Sequence, residues 1–175
     1  TLSSCGIDIG VEENHRIFEE VFDGVPGLHR VHLRPGLFMD FFLRQVELIK
    51  KEGRNRGYWA PSLQMSMVST RDIGAVGAEY LQKLDWTGHH LRYVLGPRDL
   101  TLPEATRILG DAIGKPGLEY VPYTEEEVRA RMATQGFSKD YIEHYVDTRD
   151  RYNAAGRISK QTRGPENTTP TTLEE

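Results

Sequence analysis

The sequence contains very little cysteine: Cys5 is the only one among 175 residues. A single thiol excludes an internal disulfide and any zinc site built on several thiolates, and it is compatible with a reducing compartment. We therefore expect a cytoplasmic protein. The chain starts at Thr1 instead of an initiating Met, which indicates a processed or truncated polypeptide.

Long apolar runs and excess basic charge are also absent. No uninterrupted run reaches the roughly 18 apolar residues of a membrane span, and residues 1–20 do not resemble a signal peptide. The chain has 22 Lys and Arg against 26 Asp and Glu, a net charge of -4, so its field repels a polyanion. We expect neither a membrane nor a nucleic acid as a partner.

The sequence has no glycine loop suited to phosphate groups. Neither G-x-G-x-x-G nor G-x-x-x-x-G-K-[ST] occurs in it. In such loops, backbone N–H groups and a helix N-terminus hold the phosphates of a nucleotide. The residues alone therefore predict an α/β domain without a phosphate cradle of its own.

Strand-like and helix-like segments alternate along the chain. Alternating or β-branched patterns predict strands, and apolar residues at helical spacing predict helices. Thr101 with Glu104, and Thr124 with Glu127, have the spacing of helix capping boxes. Strands are predicted at the opening TLSS, at 28–33, 91–96 and 118–123; helices at 13–22, 37–53, 73–84, 101–114, from 124 and at 138–155.

This alternation is typical of an α/β fold with a mainly parallel sheet. We expect residues 54–67 to be irregular apart from the short run near Met67, and residues 160–175 to form an extended, poorly ordered tail. Pro35 is expected to end the strand before it, because it lacks a backbone donor.

The candidate reactive clusters have simpler structural explanations. His29 and His32 point to opposite faces of a strand, and His89 and His90 are adjacent, so we expect no metal site. Cys5 has no assigned base and is read as a small filler, with a nucleophile as the alternative. An acidic group is interpreted as the start of a helix: Glu125, Glu126 and Glu127. A basic group is interpreted as a solvated helix end, with a phosphate contact as the alternative: Lys50, Lys51, Arg54 and Arg56.

Four phrases in order resemble the C-terminal half of NmrA-like proteins, which are atypical short-chain dehydrogenase/reductases with an NAD(P)-binding Rossmann fold. They are TLSSCG, HLRPGLFMDFFL, STRDIGAVGAEYL and YVLGPRDLTLPEATRILGDAIGKPGLEYVPYT, and the likeness covers residues 1 to about 160. The resemblance implies the C-terminal part of a Rossmann-like doubly wound parallel sheet (1–53), a small, mostly helical substrate lobe (54–159) and the tail (160–175). It also implies that the half with the glycine-rich turn is missing here.

The resemblance also implies a set of site residues. Ser4 and His15 would be catalytic, with His15 orienting the nicotinamide ribose or relaying a proton; the alternative is a surface histidine. The predicted cofactor-binding residues are Ser3, Ser4, Arg34, Pro35, Gly36 and Phe38, although Pro35 and Gly36 also suit a plain turn. Substrate contacts are predicted for Met39, Tyr58, Trp59 and Phe137, with packing as the alternative for the three aromatic residues.

One departure from the family pattern affects the predicted chemistry. Classical relatives use Tyr-x-x-x-Lys to move the proton that accompanies hydride transfer. Here Val11 stands in place of the tyrosine, and His15 or Arg16 in place of the lysine. The implied function is an NAD(P)H-dependent oxidoreductase with a small-molecule substrate such as a quinone or azo compound. The alternatives are a non-catalytic NAD(P)-sensing regulator and an inert partial domain; we expect the 175-residue chain alone not to bind NADPH saturably.

Overall fold

Helices and strands alternate along the computed structural model, which describes all residues from Thr1 to Glu175. The α-helices are α1 (Glu13–Asp23), α2 (Val46–Glu52), α3 (Thr70–Lys83), α4 (Leu102–Ala112), α5 (Glu125–Thr134) and α6 (Lys139–Ala155). Two 3-10 helices span Cys5–Ile9 and Met39–Gln45. The strands are β1 (Arg30–Pro35), β2 (Leu37–Phe38), β3 (Asn55–Gly57), β4 (Met65–Val68), β5 (His89–Val94), β6 (Asp99–Leu100) and β7 (Tyr120–Pro122).

Most of the strand pairs are parallel, as predicted. β1 pairs with β5, β2 with β4, and β3 with β7 in parallel, while β4 and β6 are antiparallel. Leu2 forms a parallel bridge to Leu33, so the opening residues lie beside β1 as a short strand end. Parallel strands need crossover connections, which the intervening helices supply.

Three apolar clusters hold these elements together. The main cluster surrounds β4 and α4, and a second lies between α5 and α6. A third joins Val68, Ile73 and Val94 under α3. None of the helices combines the length and the apolar composition that crossing a bilayer would require.

The single helix predicted over 37–53 is wrong in its first half. Leu37 and Phe38 form β2 opposite Met67 and Val68, a 3-10 helix follows, and only α2 is α-helical. Pairing with the buried strand β4 satisfies the backbone of β2, so tertiary contacts override the helical spacing of the side chains. Phe38 and Met39 therefore do not begin an α-helix.

Two other expectations also fail. The segment predicted to be irregular contains β3, and the side chain of Asn55 in this strand donates a buried hydrogen bond to Thr106 Oγ1 at 2.8 Å. The tail is extended but not loose. Leu95 N–H donates to Asn167 O and Thr169 N–H donates to Leu95 O, each at 2.8 Å, so the tail lies on the body as an added strand segment.

Candidate active site

A cavity of about 710 Å³ opens where Leu2 and β1 reach their carboxyl ends. In open α/β sheets, ligands bind beyond the carboxyl ends of the strands. The walls are largely apolar with a few polar groups, which is typical of a small-molecule site. They include seven of the predicted site residues: Ser3, Ser4, His15, Pro35, Gly36, Phe38 and Trp59.

The two serines at the end of the first strand have different roles. Ser3 N–H donates to Leu33 O at 2.7 Å, which fixes the strand end, while the buried Ser3 hydroxyl has no hydrogen-bond partner. The Ser4 hydroxyl accepts from Gly6 N–H at 3.1 Å and caps the first 3-10 helix. The Ser3 hydroxyl lies near enough to the Glu19 carboxylate to help lower its pKa, but it makes no hydrogen bond of normal geometry, so it can still turn to a polar ligand.

The turn between β1 and β2 brings backbone against backbone. Gly36 N–H donates to Val94 O at 3.1 Å, and a Cβ atom on Gly36 would lie 1.9 Å from the carbonyl oxygen of Ser66. Glycine is therefore required at this position for steric reasons, and the cavity wall beside Pro35 and Gly36 is rigid backbone.

The side chain of Arg34 is not part of the cavity wall. Its guanidinium donates to Glu19 Oε1 at 2.9 Å and to Asp8 Oδ1 at 2.8 Å, and both carboxylates are largely buried. Burial raises the pKa of Glu19, but the hydrogen bonds from Arg34 outweigh it and hold this pKa below its ordinary value. Arg34 thus ties α1 to β1.

Tyr152 and Glu12 also line the cavity, although they are not among the residues predicted from the sequence. The hydroxyl of Tyr152, on α6, donates to Glu12 Oε1 at 3.0 Å, and Glu12 Oε2 lies 3.9 Å from His15 Nε2. Burial and the nearby Glu12 raise the pKa of Tyr152. The two residues are 140 positions apart, so no local pattern could have paired them.

The backbone of this group is strained. Glu12 has a φ of 60°, which is uncommon for a residue other than glycine and occurs often at functional sites. A Cβ on Gly6 would lie 1.9 Å from the Tyr152 hydroxyl oxygen, so Tyr152 packs directly on the 3-10 helix.

Val11 and Cys5 face the core. Val11 is 2% exposed. The Cys5 thiol also lines the base of the cavity, where it donates to Ile158 O at 3.4 Å, and burial raises its pKa to about 12. A thiol with so high a pKa is not a nucleophile at neutral pH.

Three predicted substrate residues lie away from the cavity. Met39 packs against the main core cluster, and Tyr58 packs against Tyr123 with ring centroids 5.3 Å apart. Phe137 stacks on Tyr141 at the surface. Trp59 does line the cavity, where its ring meets that of Tyr152 edge to face at 5.5 Å.

Several solved structures share this arrangement of elements. The NADPH-dependent quinone oxidoreductase of Escherichia coli, solved with NADPH, is 17% identical, with a TM-score of 0.71 over 89% of this chain and 54% of that chain. Triphenylmethane reductase of Citrobacter sp., solved with NADP(H), is 18% identical, with a TM-score of 0.69 over 93% of this chain and 56% of that one.

A nucleoside-diphosphate-sugar epimerase of Staphylococcus aureus is 16% identical, with a TM-score of 0.61 over 93% of this chain and 55% of that one. No family model and no curated protein sequence matches the chain. The chain spans about half the length of the solved structures it matches. It therefore has the Rossmann-like α/β fold of these proteins, which confirms the fold implied by the NmrA-like resemblance.

Proposed function

We propose that this chain is the substrate-facing part of an NAD(P)H-dependent oxidoreductase that acts on a small organic acceptor. The observation that carries the proposal is the cavity at the carboxyl ends of the first strand and β1, which collects Ser3, Ser4, His15 and the Pro35–Gly36 turn. Two proteins of the same fold, the quinone oxidoreductase and the triphenylmethane reductase, were solved with NADPH or NADP(H).

The residues present fit the nicotinamide end of such a cofactor. The Ser3 hydroxyl would accept or donate a hydrogen bond, the Pro35–Gly36 turn would present its rigid backbone, and Phe38 supplies an apolar wall. The phosphates would be held by residues outside this chain, because it has no glycine loop. When bound, NAD(P)H supplies a hydride.

The remaining wall suits a planar acceptor. Phe41, Leu43 and Trp59 give the cavity apolar side chains against which a planar acceptor can pack. Reduction of a carbonyl or quinone oxygen also needs a proton, and the Tyr152 hydroxyl is held by Glu12 beside the half-exposed His15. In this proposal, Tyr152 and His15 hold the proton near the acceptor while Glu12 keeps them in place.

The second candidate is an NAD(P)-sensing regulator without catalysis. The observation that favours it is the burial of Val11 where the tyrosine of the classical pair would stand. A regulator would bind the cofactor without transferring hydride to any acceptor.

Acceptor binding is testable on the chain itself, because its two tryptophans have different surroundings. Trp59 lines the cavity, whereas Trp86 donates its indole N–H to Tyr80 O at 2.9 Å on another surface. Titration with a small quinone, monitored by intrinsic fluorescence and calorimetry, is expected to quench Trp59 saturably. The signal should persist in Trp86→Phe and disappear in Trp59→Phe; equal, non-saturating quenching in both variants would contradict the proposal.

Turnover is testable on a protein made from the reading frame extended upstream of Thr1. Oxidation of NADPH is followed with quinones, azo dyes and aldehydes as acceptors. We expect turnover with at least one planar acceptor and a loss of kcat in Tyr152→Phe. Saturable NADPH binding without turnover would select the regulator, and no binding would exclude both candidates.

A further inference from the structure

Two histidines and an aspartate converge beside the β1–β5 pair, away from the walls of the cavity. In the parallel register Arg30 lies opposite His89, so Arg30, His32 and His89 share one face of the two strands. Asp23, the last residue of α1, reaches the same place. His32 and His89 lie on different strands, so no spacing within one segment of the sequence brings them together.

Two of the three separations between the ligand atoms are close to those of a tetrahedral site. Asp23 Oδ1 lies 3.0 Å from His32 Nε2 and 3.7 Å from His89 Nε2. All three atoms lie within 4.8 Å of one another. Ligands about 2.0 Å from a tetrahedral Zn²⁺ are about 3.3 Å apart, and the two measured separations from Asp23 fall on either side of this value.

The more buried histidine is held as metal-binding histidines usually are. His32 is fully buried, and its Nδ1 lies 2.5 Å from Thr1 Oγ1, so Nε2 is the nitrogen that faces Asp23. In metal sites, the second ring nitrogen is almost always hydrogen-bonded, which fixes the tautomer and the ring orientation. Asp23 and His89 are partly exposed, so water can reach the fourth position.

A positive group competes for the same carboxylate. Arg30 Nε donates to Asp23 Oδ1, and Arg30 Nη1 donates to Leu28 O at 3.1 Å. Asp23 Oδ2 makes no hydrogen bond in the structure. A cation bound at Oδ1 would therefore displace the contact of Arg30, whose guanidinium can turn to the free oxygen Oδ2.

We propose that Asp23, His32 and His89 bind one Zn²⁺ or a similar divalent transition metal ion, with water as the fourth ligand. Two imidazoles and one carboxylate form a ligand set that zinc accepts with one position open. The ion would link the end of α1 to both β1 and β5. This site is independent of the proposed oxidoreductase function.

The test uses the 175-residue chain without a polyhistidine tag and Co²⁺ as the spectroscopic probe. We expect visible absorption bands of four-coordinate Co²⁺ that saturate at one ion per chain and are abolished by Zn²⁺. Zn²⁺ should also raise the Tm of the chain, because a ligand that binds only the folded state stabilises it. Absence of saturable bands would overturn the proposal.

His89→Gln and His90→Gln are the matched variants. His89 is partly exposed, so its replacement leaves the fold intact, and His90 is its neighbour on the opposite strand face, with Nε2 2.8 Å from Thr87 O. We expect His89→Gln and Asp23→Asn to weaken Co²⁺ binding at least about tenfold and to remove the Tm rise. His90→Gln should change neither. Equal loss in both histidine variants, or no loss in His89→Gln with native circular dichroism, would contradict the assignment.

Discussion

Close backbone contact around Gly36 shapes the cavity at the scale of single residues. A Cβ atom at this position would lie 1.9 Å from Ser66 O, and backbone forms both sides of the contact, so neither strand can yield easily. Gly74 provides a contrast within the same chain. It lies inside α3, and a Cβ atom there would meet nothing within 4 Å.

We expect Gly36→Ala to lower the free energy of unfolding by about 1–3 kcal/mol, because the added methyl group overpacks the strand contact. Gly74→Ala should raise it by up to about 1 kcal/mol, because alanine is the better helix former. Urea unfolding of both variants measures the difference. Equal effects of the two substitutions would show that the backbone around Gly36 can move to accommodate a methyl group.

The buried ion pair of Arg34 and Glu19 is the second feature at this scale. Both side chains are about one tenth exposed or less, so removal of one partner leaves the other buried without compensation. We expect Arg34→Met to cost about 3–5 kcal/mol of unfolding free energy. The double variant Arg34→Met/Glu19→Gln should recover part of this loss in thermal and urea unfolding; no recovery would mean that packing, not charge, dominates.

The same pair gives a pH dependence. Burial raises the pKa of Glu19, but the hydrogen bonds of Arg34 bring it below its ordinary value of 4.5. A pKa that is lower in the folded state stabilises the fold above pH 4.5, and this stabilisation is lost as the pH falls through the folded pKa. Urea unfolding between about pH 3 and 6 measures this dependence. As the pH falls, the free energy of unfolding should decrease less steeply in Glu19→Gln than in the parent chain, and the difference in slope should correspond to at most about one bound proton.

At the scale of elements, helix starts are the most predictable feature. In α4 the Thr101 hydroxyl accepts from Glu104 N–H at 3.3 Å, and Glu104 Oε2 accepts from Thr101 N–H at 2.7 Å. Thr124 and Glu127 repeat this arrangement at α5. Each box depends on residues three positions apart, so the sequence alone was sufficient to predict both.

We expect Thr101→Ala to destabilise the chain by about 1 kcal/mol, since it removes the cap of α4. Thr101→Ser keeps the hydroxyl and should lose much less. Thermal unfolding followed by circular dichroism compares the two. If the serine variant is as unstable as the alanine variant, the methyl group of Thr101 matters and not the cap.

Elements that depend on distant pairing were predicted less well. Leu37 and Phe38 have helical spacing with the residues that follow, yet they pair with β4. Asn55 lies in a segment rich in glycine and charge, and it becomes a strand because β7 lies beside it. The candidate site divides in the same way: Ser3, Ser4, Pro35 and Gly36 follow strand ends and were predicted, whereas Tyr152 reaches the cavity from a distant helix.

At the scale of the whole molecule, the C-terminal tail closes one side of the body. Besides its backbone bonds to Leu95, the Thr171 hydroxyl donates to Asp72 Oδ1 at 2.8 Å and Leu173 packs against the main core. Its composition of threonine, glycine and proline predicts a poorly ordered segment. The composition cannot show that the backbone of the tail pairs with Leu95, which follows β5 far away in the sequence.

We expect deletion of residues 165–175 to cost at least about 2 kcal/mol, since two backbone bonds and the Leu173 contact are lost. Deletion of Glu174 and Glu175 alone should cost less than about 1 kcal/mol, because it removes an exposed ion pair and one exposed hydrogen bond from Thr172 N–H to Glu175 Oε2. Differential scanning calorimetry of the two truncated chains provides the measurement. Similar Tm values would show that the tail is not a structural element.

The parallel pairings also order events during synthesis. β1 has to wait for β5, whose paired residues follow 59 positions later, and β3 has to wait for β7. Such non-local contacts are slow to form, and a nascent chain emerges at about 5–20 residues per second. A ribosome-bound chain would thus keep unpaired strand edges for several seconds, and a chaperone that shields extended segments would protect them during this time.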